Sequence, residues 1–339
     1  MAEGINLKNP GKIEIIEYSV PERMEADEVL VRVKAGGICG SDIHIYDGSH
    51  PIGDYPKIIG HEFSGYIEKT GPDVEGLKAG DKVVVDPIVN CGTCYACRTL
   101  HRPNICSNLQ VRGVHLDGGF CTHIVVPASS VYTFKNLSWA AAAMAEPFTI
   151  ASQILTRSRV SDTDTVLING VGAIGMATLL MAKHLGARVI ATDIHDSHLD
   201  KARELGADLL INSQKESIKN KVNAYSEGDG ISVVVDTVGL AATFNTVYTC
   251  AAPGARIVLI GFDKTHMGIS PFDVTFNEFE IIGSRLQTGR FQHVVDLFEN
   301  GSIDPSAIIS HRFSFREAES VFPFIINNPD QVIKAVLEF

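Results

Sequence analysis

"TVLINGVGAIGMATLLMAKHLGARVIATDI" (165–194) decides how the second half of this 339-residue chain folds. An apolar, β-branched run, TVLIN, leads directly into Gly170-x-Gly172-x-x-Gly175. A stretch rich in Ala, Leu and Met follows, and then a second apolar run, RVIATDI. Strand, glycine turn, helix and strand in this order predict a βαβ unit of a parallel sheet. Each glycine has its own task. Gly170 permits the tight turn, Gly172 lets a pyrophosphate approach the backbone, and Gly175 lets helix and strand pack closely. Ala173 and Ile174 open the helix, whose free N–H groups and positive dipole end suit phosphates. Asp193 closes the second strand 18 residues after Gly175, where an acid grips the diol of an adenosine ribose. Ile194, His195 and Asp196 come next, with no arginine to receive a 2′-phosphate, so NAD is expected rather than NADP. His195 is the one nearby group able to face a phosphate.

Outward from this stretch the alternation continues. HLDKARELG reads as a helix, and DLLIN, SVVVDTV, ARIVLIGF and FEIIGSR as further strands of the same sheet. Upstream the texture differs. EVLVRVKAGGI (28–38), EFSGYIEKTG (62–71), DKVVVDP (81–87) and FCTHIVVP (120–127) are short β-branched runs punctuated by Gly and Pro, so this part is expected to be β-rich. WAAAAMAEPFTIASQILTR (139–157) reads as helical, with a break or a fresh start at Pro147. The tail pairs a helix, FQHVVDLFENG, with a last strand, VIKAVLEF.

Bulk properties restrict what such a chain does. A hydrophobic fraction of 45% and a charged fraction of 20% belong to a core-forming globular protein. The net charge of −11 argues against a nucleic-acid surface, which needs Lys and Arg, and against an anionic membrane. The longest apolar stretches, such as MATLLMA (176–182), are far too short to span a bilayer, so a soluble, cytoplasmic protein is expected. Seven cysteines in such a setting point to metal or thiol chemistry rather than disulfides.

Four of the seven lie in CGTCYACRTLHRPNIC. Cys91-x2-Cys94-x2-Cys97 brings three thiolates into tight turns, and Cys106 can close a tetrahedral shell. Four thiolates leave no open position, so this is a structural site, read as zinc. An iron–sulfur cluster or a redox-active CxxC would use the same ligands, but nothing else in the chain suggests one-electron chemistry. A second constellation lies earlier. GGICGSDIHIYDGSHP carries Cys39, Ser41, Asp42 and His44, and IIGHEFSG carries His61 and Glu62. Cys39, His61 and Glu62 make an incomplete shell with room for water or substrate, as a catalytic zinc requires. Read singly, Cys39 is equally a small core residue and His61 a core histidine. Cys121 and Cys250 have no partner motif and read as buried apolar residues.

Taken together, GICGSDIHIYDG, YPKIIGHEFSGYI, GDKVVVDP, the cysteine loop, RGVHLDGGFCTHIVVP, AAMAEPFTIA, GVGAIG and IIGSR resemble the zinc-dependent medium-chain dehydrogenase/reductase family, in its polyol and sugar-acid branch. The similarity runs through essentially the whole chain, nearest to enzymes like sorbitol dehydrogenase and L-galactonate oxidoreductase. It implies an α/β chain built of two domains. A GroES-like, β-rich catalytic domain would span 1–153 and 290–339, and a Rossmann doubly wound parallel sheet 154–289. It also implies two Zn2+ per chain and NAD. Cys39 and His61 would be catalytic zinc ligands, Glu62 a third or exchangeable one, and Glu146 of AEPF would complete or back the shell, directly or through water. As an ordinary residue Glu146 would be a helix-terminal carboxylate.

The implied chemistry is hydride transfer from a small, polar, hydroxylated substrate to NAD+. Ser41 would accept the hydroxyl proton and His44 pass it to solvent, because an imidazole exchanges protons readily near neutral pH. Asp42 would support the loop. Arg112, His115, Asp117 and Arg285 are polar candidates for the substrate pocket, although a structural carboxylate or a cofactor phosphate accounts better for either arginine. Tyr46 and Phe120 are candidates for its floor, though core packing explains these two equally well. A homodimer or homotetramer built through the nucleotide domains is the implied assembly. One departure stands out. The family places seven residues between the third and fourth cysteines of the loop, whereas RTLHRPNI has eight, which puts metal loading there in question.

Overall fold

A computed structural model describes residues 1–21, 23–51, 54–261 and 264–339. The chain divides into two compact units, Met1–Glu146 with Thr288–Phe339, and Pro147–Gln287. The joins therefore fall at 146/147 and 287/288, where the sequence reading put them at 153/154 and 289/290. The helix Ala145–Ser158 runs across the first join, so no loop marks it in the sequence. Pro147 sits in the first turn of that helix, where its missing N–H is one of the orphan donors anyway. The preceding helix, Trp139–Ala143, starts at a Ser138 hydroxyl that accepts from the amide of Ala141, so the expected break near Pro147 is present.

In the first unit the long strand Glu28–Ile38 is central. On one side lie Glu62–Thr70, Lys82–Val85 and Val131–Phe134 in turn, and on the other Ala335–Glu338 and His311–Ser314. His123–Pro127 also pairs with the central strand. Alternate residues point to opposite faces, and one face closes a core of Val29, Val31, Val33, Phe63, Ile67 and Val83. The register positions the chemistry. Gly37 pairs with Glu62, Ile38 pairs with Ala335, and the strand ends where Cys39 begins the helix Gly40–Asp47. Cys39, Glu62 and Lys334 therefore meet at one strand end. The N-terminal hairpin Ala2–Asn9 with Lys12–Tyr18, and that short helix, were not anticipated.

The second unit is a six-stranded parallel sheet. Its order is Leu209–Asn212, Arg188–Asp193, Thr165–Asn169, Ile231–Asp236, Ala251–Leu259 and Glu280–Gly283. Every strand read from the sequence is present, although the end of ARIVLIGF, Phe262, lies outside the described residues. The order steps outward in both directions from Thr165–Asn169, and such a reversal opens a crevice at the carboxyl ends of the strands. Leu167, Ile190, Ile211, Val234 and Ile257 form its core under the helices. No helix among the described residues is long and apolar enough to cross a membrane.

Candidate active site and metal centres

The cysteine loop comes first because its geometry is the most direct. Cys94 Sγ lies 3.5 Å from Cys97 Sγ and 3.8 Å from Cys106 Sγ, and Cys106 Sγ lies 3.4 Å from Cys91 Sγ. Zinc–sulfur bonds of 2.3 Å place sulfurs about 3.8 Å apart at tetrahedral corners, so the four fit such an ion. Backbone amides aim at the same sulfurs: Cys94 N donates to Cys91 Sγ, and Asn108 N to Cys106 Sγ. Amides of Ser107 and Cys97 pull the Cys94 thiol down, which favours the thiolate a metal needs, while burial and the neighbouring sulfurs push Cys97 up. The extra residue before Cys106 does not spoil this. His101 takes a positive φ of 52°, and the turn Pro103–Ile105 then delivers Cys106 inward.

The second cluster gathers Cys39, His61 and Glu62, whose ligand atoms all lie within 4.8 Å of one another. His61 and Glu62 are buried. Asp42, fully buried, accepts from the Cys39 amide at 2.8 Å through Oδ2 and points Oδ1 at His61 Nδ1, 3.4 Å away. It thus orients the imidazole as well as the loop, and it leaves Nε2 for the cluster. Burial opposes a charge on His61, but Asp42 and Cys39 outweigh it and hold its pKa well above the ordinary value. A divalent ion would answer the same pull toward positive charge. Glu146 is buried in the same unit but does not lie within 4.8 Å of all three ligand atoms. Burial raises it to about 8, against the pull of His61.

Lys334 was missed by the sequence reading. Its ammonium, 1% exposed, donates to both Glu62 oxygens at 2.8 Å and to the Ile38 carbonyl at 3.1 Å. The available signal was a lone lysine inside the apolar run VIKAVLEF. A Cβ on Gly37 would overlap Glu62 Oε2, so a larger residue there would push the carboxylate from the place where Lys334 holds it. Ser41 Oγ lies 3.9 Å from Cys39 Sγ. His44 is exposed, with Nδ1 2.9 Å from Ser49 Oγ. Phe120 is fully buried against Gly36 and Gly60, beneath the turn that carries His61. Tyr46 packs against Phe322, with ring centroids 5.2 Å apart and planes tilted by 36°. None of the polar pocket candidates of the first unit joins the Cys39–His61–Glu62 cluster. His115 Nδ1 accepts from the Val111 amide beside the cysteine loop, Arg112 and Asp117 line a separate cavity, and Arg285 follows the last strand of the second unit.

In that unit the glycine turn has the geometry its sequence implies. Gly170 has φ 85°, a methyl on Gly175 would overlap the Gly170 carbonyl oxygen, and nothing lies within 4 Å of a Cβ on Gly172. Gly172 caps the helix Ala173–His184, so its open side lies where helix dipole and amides favour an anion. Asp193 ends its strand with Oδ2 accepting from Val171 N and Oδ1 from Ile194 N and His195 N. Burial pushes its pKa up, but His198 and these amides outweigh that and keep it below the usual value. His198, 3.5 Å from Asp193, is a second residue the sequence reading passed over.

Comparison with known proteins agrees with this geometry. The Alcohol dehydrogenase GroES-like domain family matches residues 25–136, and the Zinc-binding dehydrogenase family residues 173–300. The starvation-sensing protein RspB of Escherichia coli K12 is 36% identical over 340 residues, covering 99% of each chain. This chain belongs to the zinc-binding medium-chain dehydrogenases, in their polyol-dehydrogenase-like group. L-galactonate-5-dehydrogenase of E. coli is another member, 31% identical over 317 residues and 92% of each chain. A crystal structure of RspB from E. coli CFT073 in complex with NADH superposes at a TM-score of 0.93, with 36% identity, over 100% of this chain and 99% of that one. A zinc-binding dehydrogenase of Sinorhizobium meliloti bound to NADP superposes at 0.92, with 30% identity, over 100% and 99%. The dehydrogenase reading of both domains thus holds, and the fold is the expected GroES-like domain plus Rossmann domain.

Proposed function

We propose that this dehydrogenase oxidises a secondary hydroxyl of a sugar alcohol or sugar acid and passes the hydride to NAD+. The observation that carries the reading is the Cys39–His61–Glu62 cluster, which offers three ligand atoms within 4.8 Å of one another, one fewer than the four of a closed tetrahedral shell. Zinc held there supplies a Lewis acid that lowers the pKa of a substrate hydroxyl. The chain's own residues do the rest. Asp42 fixes the imidazole of His61, Lys334 holds the carboxylate of Glu62, and Glu146 would complete or back the shell, directly or through water. Ser41 takes the hydroxyl proton, and exposed His44 hands it to solvent. Cys91, Cys94, Cys97 and Cys106 hold a second, structural zinc. Asp193 selects NAD by accepting from the ribose diol, since no arginine follows it to receive a 2′-phosphate. The polyol or sugar-acid substrate class is favoured by the similarity to L-galactonate-5-dehydrogenase. The alternative is another small alcohol, such as threonine or a butanediol.

A homodimer through the second unit fits the exposed edge strand Glu280–Gly283. The same unit exposes Phe272 and Phe276, stacked 5.3 Å apart. A cytoplasmic enzyme suits the seven free thiols.

A panel of aldonates, hexitols, threonine and butanediol, read as NADH appearance at mildly alkaline pH, tests the substrate class. Turnover of threonine or butanediol alone refutes it. Cys39→Ser is expected to abolish turnover while NADH binding persists, and full activity in that variant overturns the assignment of the catalytic site.

A further inference from the structure

A cavity of about 590 Å3 opens in the first unit between the N-terminal hairpin, the segment Pro56–Ile58 and the strand His123–Pro127. Its size falls in the range of small-molecule sites. None of Cys39, His61, Glu62 and Glu146 lines it. Its walls are largely apolar, with Ile16, Val20, Leu116 and Ile124 among them, which suits a polyhydroxylated substrate poorly. Two cations stand in these walls. Lys57 is buried and donates to the Val114 carbonyl at 2.7 Å, which leaves two of its three N–H groups for another acceptor. Arg112 is half-buried, its Nε is shielded from solvent, and among the described residues that atom has no hydrogen-bond partner. Burial pulls the Arg112 pKa down while the charge of Glu28 opposes this, so the guanidinium is a desolvated cation short of an acceptor. Among the described residues Asp117 is the one carboxylate in the lining, and its Oδ1 already accepts from the Ile58 amide.

We propose that this cavity is a second ligand site, which binds a small monocarboxylate with an apolar body through Arg112 and Lys57. Among the described lining residues two cations stand against one carboxylate, and the Glu28 charge acts on Arg112 from outside the lining, so at most a single positive charge is left, which a monoanion matches and a phosphate dianion exceeds. An arginine fork is built to take a carboxylate through two parallel hydrogen bonds, and the apolar walls receive the rest of the molecule. The surplus donors and the apolar walls together select an amphipathic acid over an inorganic anion.

Calorimetric titration of the zinc- and NADH-loaded protein with 3-phenylpropionate, and with its neutral amide as the matched control, tests the site. The acid is expected to bind with the amide at least about tenfold weaker, as loss of a charge-assisted pair implies. Arg112→Gln should weaken the acid by about the same factor and leave the amide unchanged. Leu116→Trp, which fills the cavity, should abolish binding of both. Cys39→Ser should leave binding intact while turnover is lost, so failure of the catalytic reading and failure of this one give different results. Equal binding of acid and amide, no binding of the acid at millimolar concentration, undiminished binding to Arg112→Gln, or loss of binding in Cys39→Ser each overturns the proposal. If either cavity variant fails to fold, the wild-type protein crystallised with 3-(4-bromophenyl)propionate decides by its anomalous signal. Bromine between Ile16 and Leu116 supports the site, and bromine elsewhere or nowhere refutes it.

Discussion

Lys334→Met tests how much of the cluster depends on a residue remote from it in sequence. The wild-type ammonium is 1% exposed and spends all three N–H groups, two on Glu62 and one on the Ile38 carbonyl. Methionine fills similar space but offers no donor. Glu62, 0% exposed, is then a buried carboxylate without its cation, and breaking such a pair from one side costs about 3–5 kcal/mol. The first unit holds about 200 residues, for which each kcal/mol moves the melting midpoint by about 2–4 °C. Metal-free Lys334→Met should therefore melt about 6–20 °C below metal-free wild type in the transition of that unit. Zinc gives Glu62 another cation, so the gap should shrink by at least about half when metal is present. Replacing both partners, as Glu62→Gln with Lys334→Met, removes the stranded charge and should recover most of the loss. Scanning calorimetry of the four proteins with zinc and with chelator measures these terms as a double-mutant cycle. A metal-free shift under about 2 °C, or a double variant no better than Lys334→Met, refutes the claim that Lys334 serves as the counter-charge of Glu62.

Further expectations concern other parts of the molecule. Asp193→Ser removes a charged acceptor from the ribose site and should weaken NADH by about 10–150-fold, with NADPH much less affected; fluorescence titration of both cofactors checks this, and equal losses sink the assignment. Cys94→Ser should lower zinc content from about two ions per chain to about one while leaving the Cys39 cluster loaded, as elemental analysis after dialysis shows; two retained ions would mean the four sulfurs are not the second site. Asp164 is ion-paired to Arg256. Burial raises its pKa, but the amide of Ser161, Ser232 and Arg256 outweigh that and hold it below the ordinary value. A carboxylate depressed in the folded state stabilises fully above its unfolded pKa and loses that contribution as pH falls through the folded one. Asp164→Asn should therefore lower the melting midpoint at pH 7 and match wild type once both are below the usual carboxylate range, and a gap that persists in acid would assign the effect to packing.

The two metal clusters show why the sequence was legible in some places and silent in others. The cysteine loop spans sixteen residues, so its spacing alone brings four sulfurs together, and even its extra residue is absorbed locally at His101. The dinucleotide turn is local in the same sense. Gly170, Gly175 and Asp193 sit on one strand–helix–strand unit whose periodicity fixes their separation. Cys39 and Glu62 meet only because Gly37 pairs with Glu62 across two strands, and a sequence carries no direct record of a register. Residue chemistry suggested that constellation, but each residue read singly had an ordinary explanation, and the family similarity joined them. Lys334 lies 272 positions from Glu62 and reaches it through the pairing of Ala335 with Ile38 on the opposite side of the same strand. A charged residue within an apolar run is the one trace it leaves, and that trace names no partner. Arg112 shows the converse. Its neighbours in RGVHLDGG suggested a substrate pocket, but it lines a cavity to which none of Cys39, His61, Glu62 and Glu146 contributes. Side chains that share a motif share a site only when their strand face and register agree, so proximity along the chain located the ligands of the structural metal and misplaced the polar residues beside it.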